Sequence, residues 1–227
     1  MIKNVFVDLD DTIFDFKKGE RDALSRALIS NGVNPDDNML LTCSRINDIH
    51  WKMLEKGIIT KKELNSARFR AFFGEFNIDL SADEFCLEYE NNLAEEYFFI
   101  DGAEEFLKNL YGRYRLYAAS NGYIKTQRSR LMKSGIEHFF EDVFISQEVG
   151  YDKPAKEFFD VSFSRISGFD RNESVIIGDS LTSDIMGGKN AGIKTIRLMR
   201  NEIRSEEIIP DYEVYSLSEA IKIIESL

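Results

Sequence analysis

Val5-Phe6-Val7-Asp8-Leu9-Asp10-Asp11-Thr12 places an uninterrupted apolar run directly before Asp8, Asp10 and Asp11. Strands buried on both faces of a parallel sheet read as continuous apolar runs, and open α/β sheets bind ligands beyond the carboxyl ends of their strands. The acids therefore stand where such a sheet does its chemistry. Asp8 and Asp10 share a face if the strand stays extended. Two carboxylates about 4 Å apart repel by roughly 4 kcal/mol at an effective dielectric near 20. Holding them together calls for a cation or a shared proton. The competing reading is a surface turn that caps the next helix, because Asp and Thr favour both positions.

Outward from this stretch, the chain changes character twice. From about Lys18 to Leu93 apolar residues recur at helical spacing: Ala23, Leu24, Ala27 and Leu28, then Ile46, Ile49 and Met53, then Leu64, Ala67, Phe72 and Phe73. Breaks at Asn31-Gly32, at Gly57 and near Asn77 to Ser81 divide it into a bundle of about four helices. Thr60 with Glu63, and Ser81 with Glu84, have the spacing of capping boxes. After Ile100-Asp101-Gly102 short β-rich runs alternate with helical ones. Leu116 to Ala119, Val143 to Ile145, Val175 to Ile177 and Lys194 to Leu198 read as strands. Ala103 to Leu110, Lys125 to Ser134, Ala155 to Ser167 and Leu181 to Asn190 read as helices. Such alternation implies a parallel sheet with right-handed crossovers. The predicted fold is α/β, a Rossmann-like parallel sheet core (residues 1–16 and 98–227) with an inserted helical-bundle cap (residues 17–97).

Composition narrows the function classes. A chain of 227 residues can bury one good core plus a smaller insertion. The net charge of −11 argues against a nucleic-acid polymer as partner, which normally requires a basic face. A small anionic substrate stays open, since exposed charges are screened within roughly 8 to 10 Å at physiological salt. No apolar stretch approaches the roughly 20 residues that span a bilayer, so no membrane partner and a cytoplasmic location are expected. Cys43 and Cys86 lack metal-type spacing and read as free or buried thiols. His50 and His138 read as structural or surface residues. The expected partner is a small molecule, with the chain a monomer or weak homo-oligomer.

The expectation of a phosphate comes from polar groups that follow the other strands. Ser120-Asn121-Gly122 closes one strand, Gly178-Asp179-Ser180 closes another, and Asp152-Lys153-Pro154 precedes a helix. All would converge on the carboxyl edge that carries Asp8 and Asp10. Ser120 and Asn121 offer hydroxyl, amide and backbone donors suited to phosphate oxygens, and Lys153 offers a cation. Taken singly, each has an ordinary reading as a turn, a solvated lysine or a helix-capping acid. Together, Asp8, Asp10 and Asp179 supply the hard oxygen donors that suit magnesium, which retains waters and a substrate oxygen.

These segments, in this order, resemble the haloacid dehalogenase superfamily, specifically its magnesium-dependent phosphatases with a helical cap of the first subclass. The matching stretches are Asp8-Leu9-Asp10-Asp11-Thr12, Ser120-Asn121-Gly122, Lys153-Pro154 and Gly178 through Asp184. The resemblance implies that Asp8 attacks phosphorus to form an aspartyl phosphate while Asp10 protonates the leaving oxygen and then activates water. It implies magnesium contacts from the Asp8 side chain, the Asp10 backbone carbonyl and Asp179. Asp184 would orient a metal-bound water or Lys153, and Thr12 would hold the turn. Dehalogenase members lack the second acid of the first motif, so the presence of Asp10 sets carbon–halogen hydrolysis aside.

The resemblance implies a small-molecule phosphate ester as partner, and substrate choice is expected to reside in the cap. Arg45 through Trp51, Gly57 and Ala67-Arg68-Phe69, with Ser146 through Gly150 and the Gly178 segment, resemble bacterial pyrimidine 5′-nucleotidases. A nucleobase needs an aromatic or apolar face and a few polar groups, for which Asn47, Trp51, Arg68, Phe69 and Phe72 are candidates. Core packing at helical spacing is the competing reading of the aromatic residues, and pairing with cap acids that of Arg68. Phosphoglycolate or sugar-phosphate hydrolysis and sugar-phosphate mutation are the alternatives, while the complete acid set argues against a noncatalytic phosphate-binding regulator.

Overall fold

The computed structural model describes residues 1–200 and 207–227. It divides into two compact units, Met1–Asp15 with Phe98–Leu227, and Phe16–Tyr97.

The first unit is built on six parallel strands: β1 (Asn4–Val7), β2 (Arg115–Ser120), β3 (Asp142–Ile145), β4 (Ser174–Gly178), β5 (Lys194–Leu198) and β6 (Tyr212–Val214). Their spatial order is β3-β2-β1-β4-β5-β6. β1 lies centrally, with Val7 opposite Ala118 of β2 on one side and Ile177 of β4 on the other. The order reverses at β1, which makes its carboxyl end the crevice where ligands bind in such sheets. The apolar alternation explains why the sheet is covered twice. Val5 and Val7 enter one core cluster with Phe106, Leu107 and Leu131. Phe6 points the other way, into a cluster with Tyr117, Phe144, Phe158, Phe159 and Ile176. Every residue of β1 is buried, as expected of a strand covered on both faces.

The second unit contains α1 (Phe16–Ser30), α2 (Asp37–Glu55), α3 (Lys61–Phe76) and α4 (Ala82–Leu93). Its breaks fall at the expected places, and left-handed backbone at Gly32, Gly57 and Asn77 ends three of the helices. Thr60 completes a reciprocal capping box with Glu63. Ser81 accepts only one such bond, from the Glu84 amide. The shared core joins Leu24 and Leu28 of α1 with Cys43, Phe69, Phe72, Phe73, Phe85, Cys86 and Tyr89.

Back in the first unit, the helices are α5 (Ala103–Leu110), α6 (Ile124–Ser134), α7 (Ser146–Val149), α8 (Lys156–Ser164), α9 (Met186–Ala191) and α10 (Leu217–Ser226). Two differences from the sequence reading stand out. The segment expected as one helix from Leu181 to Asn190 begins as a π-helical turn, Leu181–Ile185, before α9. In addition, β6 extends the sheet edge beyond Leu198 and α10 follows it, where no element was expected. A strand as short as β6 has too few residues to show a period.

Candidate active site

Three adjacent strands deliver the polar groups. Asp8 follows β1 and donates its amide to the Ile177 carbonyl at 2.9 Å, so the chain leaves the sheet in register with β4. Asp179 follows β4, and Ser120 ends β2. Beyond Asp8 the chain folds back on itself. Asp11 adopts left-handed backbone (φ 57°), its amide reaches the Phe14 carbonyl at 2.7 Å, and the Ile13 and Phe14 amides both return to the Leu9 carbonyl. Main-chain bonds thus hold this turn. The Thr12 hydroxyl, which the sequence assigned to that task, is buried without a hydrogen-bond partner among the described residues.

Lys153 is the hub. Only 1% exposed, its ammonium donates to Asp8 Oδ1 at 2.7 Å, Asp184 Oδ1 at 2.6 Å and the Ala119 carbonyl at 2.5 Å, which uses all three of its protons. Burial acts against this charge, but Asp184 and Asp8 outweigh it and hold the lysine above its ordinary range. The reading of Lys153 as a solvated surface residue is thereby removed. Asn121 fixes the main chain on which it sits: its Oδ1 accepts from the Lys153 amide and its Nδ2 donates to the Lys153 carbonyl, both at 2.8 Å. The Asn121 side chain, expected on phosphate, is therefore committed to placing the lysine.

The carboxylates crowd as the sequence suggested, with one change of membership. Asp8, Asp179 and Asp184 bring ligand oxygens within 4.8 Å of one another. Asp184 comes within reach because the π-helical turn carries it back toward Gly178. There a Cβ would lie 2.2 Å from Asp184 Oδ2, so only glycine leaves room. The Ser180 amide donates to the same oxygen at 3.1 Å. Asp184 is thus engaged on both oxygens. Burial, with Asp184 and Asp10 nearby, pushes the Asp8 carboxyl well above the carboxylate range, against the pull of Lys153. Burial and the charges of Asp184, Asp8 and Asp11 do the same to Asp179. Buried acids raised in this way are short of positive charge, and the all-oxygen cluster of Asp8, Asp179 and Asp184 fits a hard divalent cation.

Asp10 turns its carboxylate to groups that sequence reasoning missed. Gln127 Nε2 donates to Asp10 Oδ2 at 2.6 Å, and Arg130 Nη1 is paired with Oδ1. Gln127 Nε2 also reaches Ser120 Oγ, at 2.8 Å. Arg197 is another omission, buried and donating from Nε to the Asp179 carbonyl at 3.3 Å. The available signal was the Gln127-x-x-Arg130 spacing, which sets both on one face of α6, although polar helix residues usually face solvent.

The candidates in the helical unit are mostly internal to it. Arg68, 2% exposed, donates to Asn47 Oδ1 at 2.8 Å and to Glu90 Oε1 at 2.6 Å. Asn47 in turn donates to Glu20 at 2.7 Å. Phe69 packs edge-on against Phe85 and Tyr89, with ring centroids 5.0 and 5.3 Å away. Phe72 is wholly buried. Trp51, one turn beyond Asn47 on α2, is half-buried. Cys43 and Cys86 are free and buried thiols. Among the described residues no helix is long and apolar enough to cross a membrane.

Comparison with known proteins adds the relatives of this arrangement. Residues 5–198 match the family described as haloacid dehalogenase-like hydrolase. The chain is 36% identical over 224 residues to the HAD-hydrolase YfnB of Bacillus subtilis, covering 98% of this chain and 95% of that protein. A crystal structure of YfnB in its orthorhombic form, bound to magnesium, matches with a TM-score of 0.94 at 35% identity, 98% of each chain being covered. Identity is also 36%, over 221 residues, to the pyrimidine 5′-nucleotidase PynA of Streptococcus pneumoniae, with 96% of this chain and 93% of that protein covered. For the pyrimidine 5′-nucleotidase YjjG of Escherichia coli it is 29% over 216 residues, covering 95% and 94%.

Proposed function

Because the chain belongs to the haloacid dehalogenase-like hydrolase family, we propose that it is a magnesium-dependent phosphomonoester hydrolase working through an aspartyl phosphate on Asp8, with pyrimidine nucleoside 5′-monophosphates as its substrates. The observation that carries the reaction class is the buried Lys153 ammonium, hydrogen-bonded at once to Asp8 and Asp184. It supports a cation held against the carboxylate read as the nucleophile, where it would offset part of the charge that a phosphoryl group brings.

In this reading an Asp8 carboxylate oxygen attacks phosphorus as the bond to the leaving oxygen breaks, and Asp10 gives that oxygen a proton. Asp10 then takes a proton from the water that attacks the aspartyl phosphate, which frees Asp8 and inorganic phosphate. Lys153 offsets the charge that two anions bring together. Ser120 Oγ accepts from the Gly122 amide at 3.0 Å and from Gln127 at 2.8 Å, so its own O–H is oriented to donate to a phosphate oxygen. Asp8, Asp179 and the Asp10 carbonyl would hold magnesium, which when bound supplies charge neutralisation for the phosphoryl oxygens. The names carried by PynA and YjjG support the substrate class, and magnesium in the YfnB crystal supports the cation.

The test is phosphate release from a panel of nucleoside monophosphates, sugar phosphates and phosphoglycolate, with and without magnesium. Magnesium-dependent turnover fastest on dUMP, dTMP or UMP is expected. Preference for phosphoglycolate or a sugar phosphate would remove the nucleotide assignment, and no release from any ester would remove the reaction.

A further inference from the structure

The environment of Asp10 contains an arrangement that the reaction outlined above uses only through the Gln127–Ser120 hydrogen bond. Arg130, on α6, is 1% exposed, whereas the side chain of Asp10 keeps 29% exposure. The guanidinium lies 4.5 Å from the centroid of the Phe14 ring, so its apolar face is covered by the same turn that carries Asp10. Its Nη1 serves Asp10 Oδ1 and also donates to Gln127 Oε1 at 3.1 Å. The Gln127 amide is then fully employed. Its oxygen takes the arginine proton, and Nε2 gives one proton to Asp10 Oδ2 at 2.6 Å and the other to Ser120 Oγ at 2.8 Å. Each oxygen of Asp10 is thus held by a different donor, and the two donors are bonded to each other.

Gly122 belongs to the same device. A Cβ there would stand 2.4 Å from Gln127 Nε2 and 2.8 Å from its Cγ and Cδ. The glycine after Ser120-Asn121 is required by the passage of the Gln127 side chain; its φ does not lie in the left-handed region. A buried guanidinium is costly unless paired and hydrogen-bonded, and packing of α6 by itself calls for none. Here the partner is the one carboxylate that must reach a leaving group.

We propose that Gln127 and Arg130 are positioning residues for Asp10: they grip its carboxylate by both oxygens, and Gln127 ties that orientation to Ser120. A phosphoryl group seated on Ser120 and the acid-base at Asp10 are thereby fixed relative to each other. This rests on the reading of Asp10 as the acid-base. Orientation of a general acid matters most when the leaving group is poor, and such an effect shows in kcat rather than in KM.

The experiment is steady-state hydrolysis, with magnesium present, of 4-nitrophenyl phosphate and of a nucleoside 5′-monophosphate. The proteins are wild type, Arg130→Met, Gln127→Met, Gly122→Ala, Asp10→Asn, and Asp10→Asn combined with each of the other three. Each single variant is expected to lose about 10- to 100-fold in kcat on the nucleotide, no more than the lower end of the roughly 10² to 10⁴ an acid-base is worth. KM should hold, and the loss should be smaller on the aryl ester. Added to Asp10→Asn, each should cost no more than about twofold, whereas independent changes would multiply in full. Gly122→Ala keeps both side chains chemically intact, so it decides the matter if Arg130→Met fails to fold. Losses equal for both esters, or multiplying in full with Asp10→Asn, overturn the positioning role while leaving the reaction intact. An Asp10→Asn enzyme as fast as wild type on the nucleotide overturns both.

Discussion

Replacing Lys153 by Met removes a charge while nearly keeping the volume, and the structure sets what should follow. Two carboxylates, Asp8 and Asp184, lose an ammonium that stood 2.7 and 2.6 Å away, and the Ala119 carbonyl loses its donor. An exposed ion pair would be worth about 0 to 1 kcal/mol. This one is buried, and breaking a buried pair costs about 3–5 kcal/mol because the remaining charge has no partner. At about 2–4 °C per kcal/mol for a protein of this size, the melting temperature should fall by roughly 6 to 20 °C. The pH dependence has a definite sign. Lys153 draws the Asp8 carboxyl down against burial, so without it Asp8 rises further and takes up a proton more readily. The penalty should therefore shrink as pH is lowered toward the ordinary aspartate range, and magnesium should relieve it at neutral pH by binding the same acids. Calorimetry at several pH values, with and without magnesium, reads all of this, and phosphate release should fall by on the order of 10²- to 10³-fold or more. A melting temperature unchanged at neutral pH, together with retained turnover, would refute the assignment of Lys153 as the charge hub.

Asp179→Asn relieves carboxylate crowding and should raise the stability of the metal-free protein at pH 8. Because the native Asp179 carboxyl is raised, its unfavourable ionisation is absent below the unfolded value and appears as pH climbs through the folded one. The advantage of Asn should vanish toward pH 4, and magnesium should stabilise wild type more than the variant; a pH-independent difference by thermal melting would contradict this. Gly178→Ala must displace Asp184 from Lys153, costing about 1–3 kcal/mol and most of the activity. Gly74→Ala on α3, where a Cβ meets nothing within 4 Å, should instead gain about 0.5–1 kcal/mol in denaturant melts. In the helical unit, Arg68→Met should destabilise by about 3–5 kcal/mol, since Glu90 and Asn47 lose a buried partner; a neutral variant in urea melts would free Arg68 for another role.

The strands around the site were legible because each is a short apolar run ending in a conspicuous polar group. Val5 to Val7 and Val175 to Ile177 sit beside each other in the sheet as that pattern implied. Lys194–Leu198 agrees to the residue. What escaped reading is the geometry that joins side chains across elements. No local pattern says that Asn121 holds the Lys153 main chain, that Gly178 makes space for Asp184, or that Gln127 and Arg130 turn inward to Asp10. Those facts depend on how α6 and the π-helical turn pack on the sheet, which spacing alone does not encode. In the helical unit the ambiguity was real: Phe69 and Asn47 had the spacing of a core and the chemistry of a binding face, and inside that unit both are buried.

The central claim is that Asp8 carries the phosphoryl group. If Asp10 is the acid-base, Asp10→Asn should slow hydrolysis of the aspartyl phosphate, so this variant, mixed with magnesium and 4-nitrophenyl phosphate and then acid-quenched, should show one phosphoryl group on the peptide containing Asp8 by mass spectrometry. The label should be absent when Asp8 is also replaced by Asn. Continued magnesium-dependent phosphate release by an Asp8→Asn enzyme, or a label on any other residue, would contradict the account.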